Sequence, residues 1–140
     1  MILLAAVALA QAQVPQNPCE ALETTNMSRE QTLALISCVN REAARQLSQG
    51  LPSRVDELTT LIGVIAAGPT LVYSMRIDAL RESFSTEEIA RRENRVRSNV
   101  CDTPGMRMVI NYGGAYQYIW LDREGRRMHS FAIESCPSVR

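Results

Sequence analysis

Ala115-Tyr116-Gln117-Tyr118-Ile119-Trp120-Leu121-Asp122-Arg123-Glu124-Gly125-Arg126-Arg127-Met128-His129-Ser130-Phe131-Ala132-Ile133 reads as two strands and the turn between them. Large apolar residues alternate with smaller or polar ones on both sides of Asp122-Arg123-Glu124-Gly125, the period of a pleated strand. Asp at the first position and Gly at the fourth suit a type I turn closed by a glycine bulge. The spacing predicts strands over 115–121 and 126–135. That turn opposes Trp120 to Met128, Tyr118 to Ser130 and Tyr116 to Ala132, with Ile119 meeting His129 and Ala115 meeting Ile133 on the other face. A tighter turn shifts every pair by one residue and changes which side chains meet.

A second hairpin lies upstream. Residues 58–66 are rich in Thr, Ile, Leu and Val, Ala67-Gly68-Pro69-Thr70 makes a turn, and 71–78 alternates again. Leu71, Tyr73, Met75 and Ile77 share one face; Val72, Ser74, Arg76 and Asp78 share the other.

Helices fill the remaining chain. Ser28-Arg29-Glu30-Gln31 has the form of a capping box, and Leu33, Ile36, Val39, Ala43 and Leu47 follow at helical spacing. Gly50 suits a left-handed position after the helix, Leu51 its hydrophobic contact, and Pro52 stops continuation. Ser85-Thr86-Glu87-Glu88 opens a second helix running to about residue 100, with Ile89, Val96 and Val100 inward and Arg91, Arg92, Arg95 and Arg97 outward. Pro104 starts a short third helix over 105–111, ended by Gly113-Gly114. Cys19 to Thr25 has the length of one further short helix. The expected architecture is α+β: an antiparallel sheet of about four strands from two hairpins, with two main helices and a short third packed on it.

The beginning of the chain bears on its compartment. Met1 to Ala10 is an unbroken apolar run, too short for the roughly 20 residues of a membrane span, and Ala10-Gln11-Ala12 matches a small-residue cleavage site. No basic residue precedes the run, a departure from the usual signal. Residues 1–12 read as a signal peptide, 13–27 as a lead-in and 28–140 as one domain. Cys19 lies past the proposed cut, which argues against a lipid anchor, and no later stretch approaches membrane length. Cys19, Cys38, Cys101 and Cys136 form an even set, so two disulfides are expected in an oxidising compartment. Three pairings are formally open; proximity and layout favour Cys19–Cys38 and Cys101–Cys136. Zinc is disfavoured because no close C-x2-4-C pair exists. Cys38 falls on the side of its helix away from the apolar stripe, where a bridge to Cys19 would strap the lead-in across the outer face.

Composition narrows the function classes. Lys and Arg total 15 against 15 Asp and Glu, for zero net charge, which does not fit a nucleic-acid binder. All 15 basic residues are arginine, a pattern that genomic base composition explains more readily than guanidinium chemistry does and that identifies no partner. His129 is the single histidine and reads as an ordinary strand side chain. No nucleophile elbow, phosphate loop or dinucleotide fingerprint occurs, so no catalytic residue, metal or cofactor is assigned. Tyr116, Tyr118 and Trp120 project from one face of their strand, and Tyr73 and Met75 extend that patch if the hairpins adjoin. Such residues suit a binding surface, although the same face could pack on helices and leave Ile119, Leu121, Phe131 and Ile133 opposite. The arginine face of the second helix could meet an acidic protein or anionic polymer, or be a solvated face laced with ion pairs to Glu87, Glu88 and Glu93.

Leu71-Val72-Tyr73, Asn99-Val100-Cys101, Tyr116-Gln117-Tyr118, Asp122-Arg123-Glu124-Gly125 and Cys136 resemble a loose group of small exported bacterial proteins of no settled function, over about residues 51–136. The resemblance implies export, disulfides and an α+β fold, and brings no active site. The expected function is a non-enzymatic periplasmic or secreted protein that binds another exported or envelope protein, as an accessory or inhibitor. The alternatives are a small-ligand or glycan binder using the aromatic face, and an enzyme of unfamiliar type.

Overall fold

A computed structural model describes Cys19 and residues 27–138. The signal and lead-in assignments, and the helix expected from Cys19 to Thr25, lie outside the described residues apart from Cys19 and Met27.

Helix α1 (Arg29–Ser48) begins at the expected capping box. The Gln31 N–H donates to Ser28 Oγ at 3.1 Å, and the Ser28 N–H donates to Gln31 Oε1 at 2.8 Å. Its buried seam runs through Ile36, Asn40 and Ala44, one residue round from the expected stripe, leaving Val39 and Leu47 exposed. The seam accepts Asn40 because its Nδ2 donates to the Gly68 carbonyl at 3.3 Å. The left-handed glycine expected after α1 is absent: Gly50 is not among the positive-φ glycines. Tight three-residue bonds, Gln49 N–H to Gln46 O and Gly50 N–H to Leu47 O, satisfy the last carbonyls instead. Leu51 still packs against the core, and the Leu51–Pro52 peptide is cis.

Strands β1 (Ser53–Arg54), β2 (Thr59–Ala67) and β3 (Thr70–Ile77) form an antiparallel set, followed by a 3-10 turn at Arg81–Ser83. Helix α2 (Thr86–Asp102) is capped by Ser85, whose Oγ accepts from the Glu88 N–H at 3.1 Å. Only this half of the expected second capping box forms. Helix α3 (Pro104–Asn111) starts with proline in its first turn, where a missing N–H costs nothing. Strands β4 (Ala115–Leu121) and β5 (Arg127–Ile133) make the second hairpin. Their turn is as expected: Gly125 has φ 80°, and its N–H donates to the Asp122 carbonyl at 2.9 Å.

The α+β class and the two hairpins hold, but among the described residues the sheet has five strands in the order β1-β2-β3-β4-β5, and β3 and β4 run parallel. The sheet is therefore mixed rather than wholly antiparallel. The parallel join follows from the connection: α2 and α3 lie between β3 and β4, and a parallel neighbour requires such a long crossover.

The pairing of β4 with β5 differs from the expected register over most of its length. Leu121 opposes Arg127, but Trp120 opposes His129, Tyr118 opposes Phe131 and Tyr116 opposes Ile133. Met128 is the extra residue of a β-bulge, and beyond it every β5 side chain changes face. Phe131 and Ile133 thereby join the side of Tyr116, Tyr118 and Trp120 instead of the opposite one. That side meets the helices: Ala44, Val100, Cys101 and Ile110 share one cluster with Val64, Leu71, Ile77, the three aromatics, Phe131 and the fully buried Ile133. Two disulfides join Cys19 to Cys38 and Cys101 to Cys136, with Cα–Cα distances of 5.7 Å in each.

Gly114 is required where α1, α3 and β4 converge. A Cβ there would stand 2.5 Å from Val109 Cγ1 and 3.1 Å from Ile36 Cγ2.

Candidate functional site

Aromatic residues supply the centre of the sheet. Tyr73 stacks on Tyr118 at 5.1 Å between ring centroids, Tyr118 on Phe131 at 5.3 Å, and Trp120 meets Phe131 edge-on at 5.1 Å. Burial pushes the Tyr73 phenol up to about 12, with Tyr116 adding to it, and raises Tyr118 and Tyr116 for the same reason. The four residues expected to form a binding face are thus brought together. Three of them, however, are inside: Tyr116, Tyr118 and Trp120 are only 4–6% exposed. Tyr118 lies stacked between Tyr73 and Phe131, so its ring faces are taken up inside the aromatic layer.

What reaches solvent is a groove cut down to that layer. Its floor is Met75, Ile77, Tyr118 and Trp120; one wall is α2, through Arg92, Arg95, Val96, Asn99 and Val100; the other is Val55, Asp56 and Thr59; Thr103 and Met106 close it. The volume is about 280 Å³, at the lower limit of roughly 300–1,000 Å³ for ligand clefts. A few apolar side chains fit; a large cofactor does not. The positions on α2 recur at three- and four-residue spacing, so one helical face lines the groove while Ile89 and Val96 also pack on the core. Val55, 56% exposed, forms an apolar lip above the buried floor.

The walls have defined electrostatics. Asp56 is turned into its own loop, where its Oδ1 accepts from the N–H groups of Leu58 and Thr59 at 2.9 and 2.8 Å. Burial raises its pKa, but these bonds and the Arg92 charge outweigh burial and hold the carboxyl below its usual value. Arg92 lies over the Phe84 ring at 5.0 Å.

His129 does more than pair across the sheet. Its ring sits 5.5 Å from Trp120, and its Nε2 donates to Glu93 Oε1 of α2 at 2.6 Å. Glu93 also accepts from Arg97 Nε at 2.8 Å, and Arg97 covers Phe131 at 5.4 Å. Burial raises the Glu93 pKa, yet the bonds from His129 and Arg97 prevail and leave it below the ordinary range. This cluster anchors α2, and hence the groove wall, to β5. Among the described residues no group of three or more potential metal ligands gathers.

The groove itself was not read from sequence. Tyr118 and Trp120 were, as an aromatic face, but the opposing wall at Val55 and Asp56 comes from a loop whose placement no local pattern encodes.

No protein-family model matches the sequence, and no curated protein matches it. Solved structures do resemble the fold. The type II secretion system pilotin AspS of Vibrio cholerae has a TM-score of 0.59 at 21% identity, covering 77% of this chain and 95% of that one. The type 2 secretion system pilotin EpsS of Vibrio vulnificus has a TM-score of 0.63 at 15% identity, covering 79% and 97%. A protein of Pseudomonas aeruginosa described as a candidate secreted protein has a TM-score of 0.62 at 16% identity, covering 71% and 88%. At these identities the likeness establishes a shared fold.

Proposed function

We propose that this protein is an exported, non-enzymatic accessory that holds a segment of another envelope protein in the groove floored by Tyr118 and Trp120. The observation that carries the reading is the groove itself, an apolar floor reached between α2 and the exposed apolar lip at Val55. A cleft of this size with an apolar floor and polar and charged groups on its walls suits the side chains of a partner segment. The shared fold with two secretion-system pilotins supports the class, and the two disulfides suit an oxidising compartment.

Site-specific photocrosslinking in the native envelope tests the proposal. A photoreactive residue at position 55 should give one discrete protein adduct, whereas one at Ile65, on the opposite face of the sheet and 62% exposed, should not. Adducts from position 65 alone, or none from position 55, would reject the groove.

A further inference from the structure

We infer that the segment taken by the groove is an acidic amphipathic peptide, with apolar side chains on the floor and carboxylates against the arginines of α2; this rests on the groove reading above. The charge at the rim is unbalanced in a particular way. Arg91, Arg92 and Arg95 cluster with Glu88 along the outer edge of the α2 wall, and Asp56 stands on the far wall. Asp56 is already committed to the backbone of its own loop, and Arg97 is committed to Glu93. Arg92 is partly engaged over Phe84. Arg91 and Arg95 make no ion pair or side-chain hydrogen bond among the described residues. Two exposed cations therefore stand unmatched beside an apolar recess.

Each half of that arrangement is weak alone. Exposed ion pairs are worth only about 0–1 kcal/mol, so a free anion would not stay on the rim. The recess is too small to hold a partner by apolar burial alone. A ligand carrying both chemistries, one turn apart, gains from both. A helical peptide with an apolar stripe bordered by Glu or Asp has that layout. A flat anionic membrane could reach the arginines but could not enter a concave groove walled by α2 and the loop at Val55.

The test uses the disulfide-bonded protein and two amphipathic peptides with identical apolar faces, one bearing glutamates and the other lysines at the polar border. Binding is followed by Trp120 fluorescence, since that ring lies in the floor. The glutamate peptide should bind more tightly, with affinity falling as salt is raised. Arg95→Glu should weaken it roughly threefold to tenfold and improve the lysine peptide. Val55→Asp, at an exposed position and with its fold checked by circular dichroism, should weaken both. Equal binding of the two peptides, with both lost in Val55→Asp, overturns the acidic partner and leaves the groove reading standing. Failure of both peptides to bind, or indifference of both to Val55→Asp, overturns the two together. Phosphatidylglycerol vesicles binding in an Arg95-dependent manner while the peptides do not would assign the rim to membranes instead.

Discussion

Asp122 is fully buried and still charged, because everything around it donates. Its Oδ1 accepts from the N–H groups of Glu124 and Arg126 at 2.9 Å each, and its Oδ2 from the Arg81 N–H at 3.2 Å and Arg126 Nε at 2.9 Å. Arg126 then reaches both oxygens of Glu82 at 2.8 Å. Burial acts to raise the Asp122 pKa, but the bonds and the Arg126 charge outweigh it and hold the carboxyl below 3.8. A carboxylate with a lowered folded-state pKa stabilises the fold above its unfolded value, and that contribution disappears as pH falls through the folded value. Chemical denaturation at pH 7 and pH 3 should therefore show an acid-dependent loss of stability that is smaller in Asp122→Asn; an identical pH slope in the variant would refute the assignment. The phenols work in the opposite direction. Tyr73, raised to about 12, keeps its proton in the fold, so its contribution is complete below pH 10 and declines between pH 10 and 12. Absorbance titration should show part of the tyrosine signal delayed beyond pH 11 until the protein unfolds. At Gly114 the added methyl of Gly114→Ala would force Val109 and Ile36 apart, costing about 1–3 kcal/mol in thermal or denaturant melts.

The hairpins were legible because their signals are local: period-two alternation and, at Asp122 to Gly125, a turn whose chemistry is written in four consecutive residues. The β4–β5 register was legible only as far as Met128. Nothing in Arg127-Met128-His129 announces a bulge, and its consequence appears only when Phe131 and Ile133 are found beside Tyr118 and Tyr116. The parallel joining of β3 to β4 was illegible for a different reason, since each hairpin has two edges and strand periodicity does not say which ones meet. The aromatic residues of the candidate site were visible as a set, whereas the groove is a gap between α2 and the loop at Val55 and belongs to no single element. Met128 offers a check on the bulge. Deleting it would leave Leu121 opposite Arg127, Trp120 opposite His129 and Tyr118 opposite Phe131 in a regular ladder, with Phe131 and Ile133 still in the core; the expected result is a variant that still unfolds cooperatively, and loss of cooperative unfolding would mean the strand has slipped to a register that turns them outward.

Across the whole molecule, the two bridges act on different lengths of chain. Cys101–Cys136 closes 35 residues and ties the end of α2 to the segment after β5. Replacing both cysteines by serine should cost about 3–4 kcal/mol in the chain-entropy account, read as a lowered denaturation midpoint. The sheet, meanwhile, is two sequence-local pieces held together along one parallel edge, and the chain that spans from one piece to the other is α2 with α3. The wall that would grip a partner is thus also the tether across the central joint. A ligand seated against α2 would clamp that joint shut, and the protection of β3 and β4 amides from hydrogen exchange would rise far more than that of β1, a tightening felt at a distance from the contact itself.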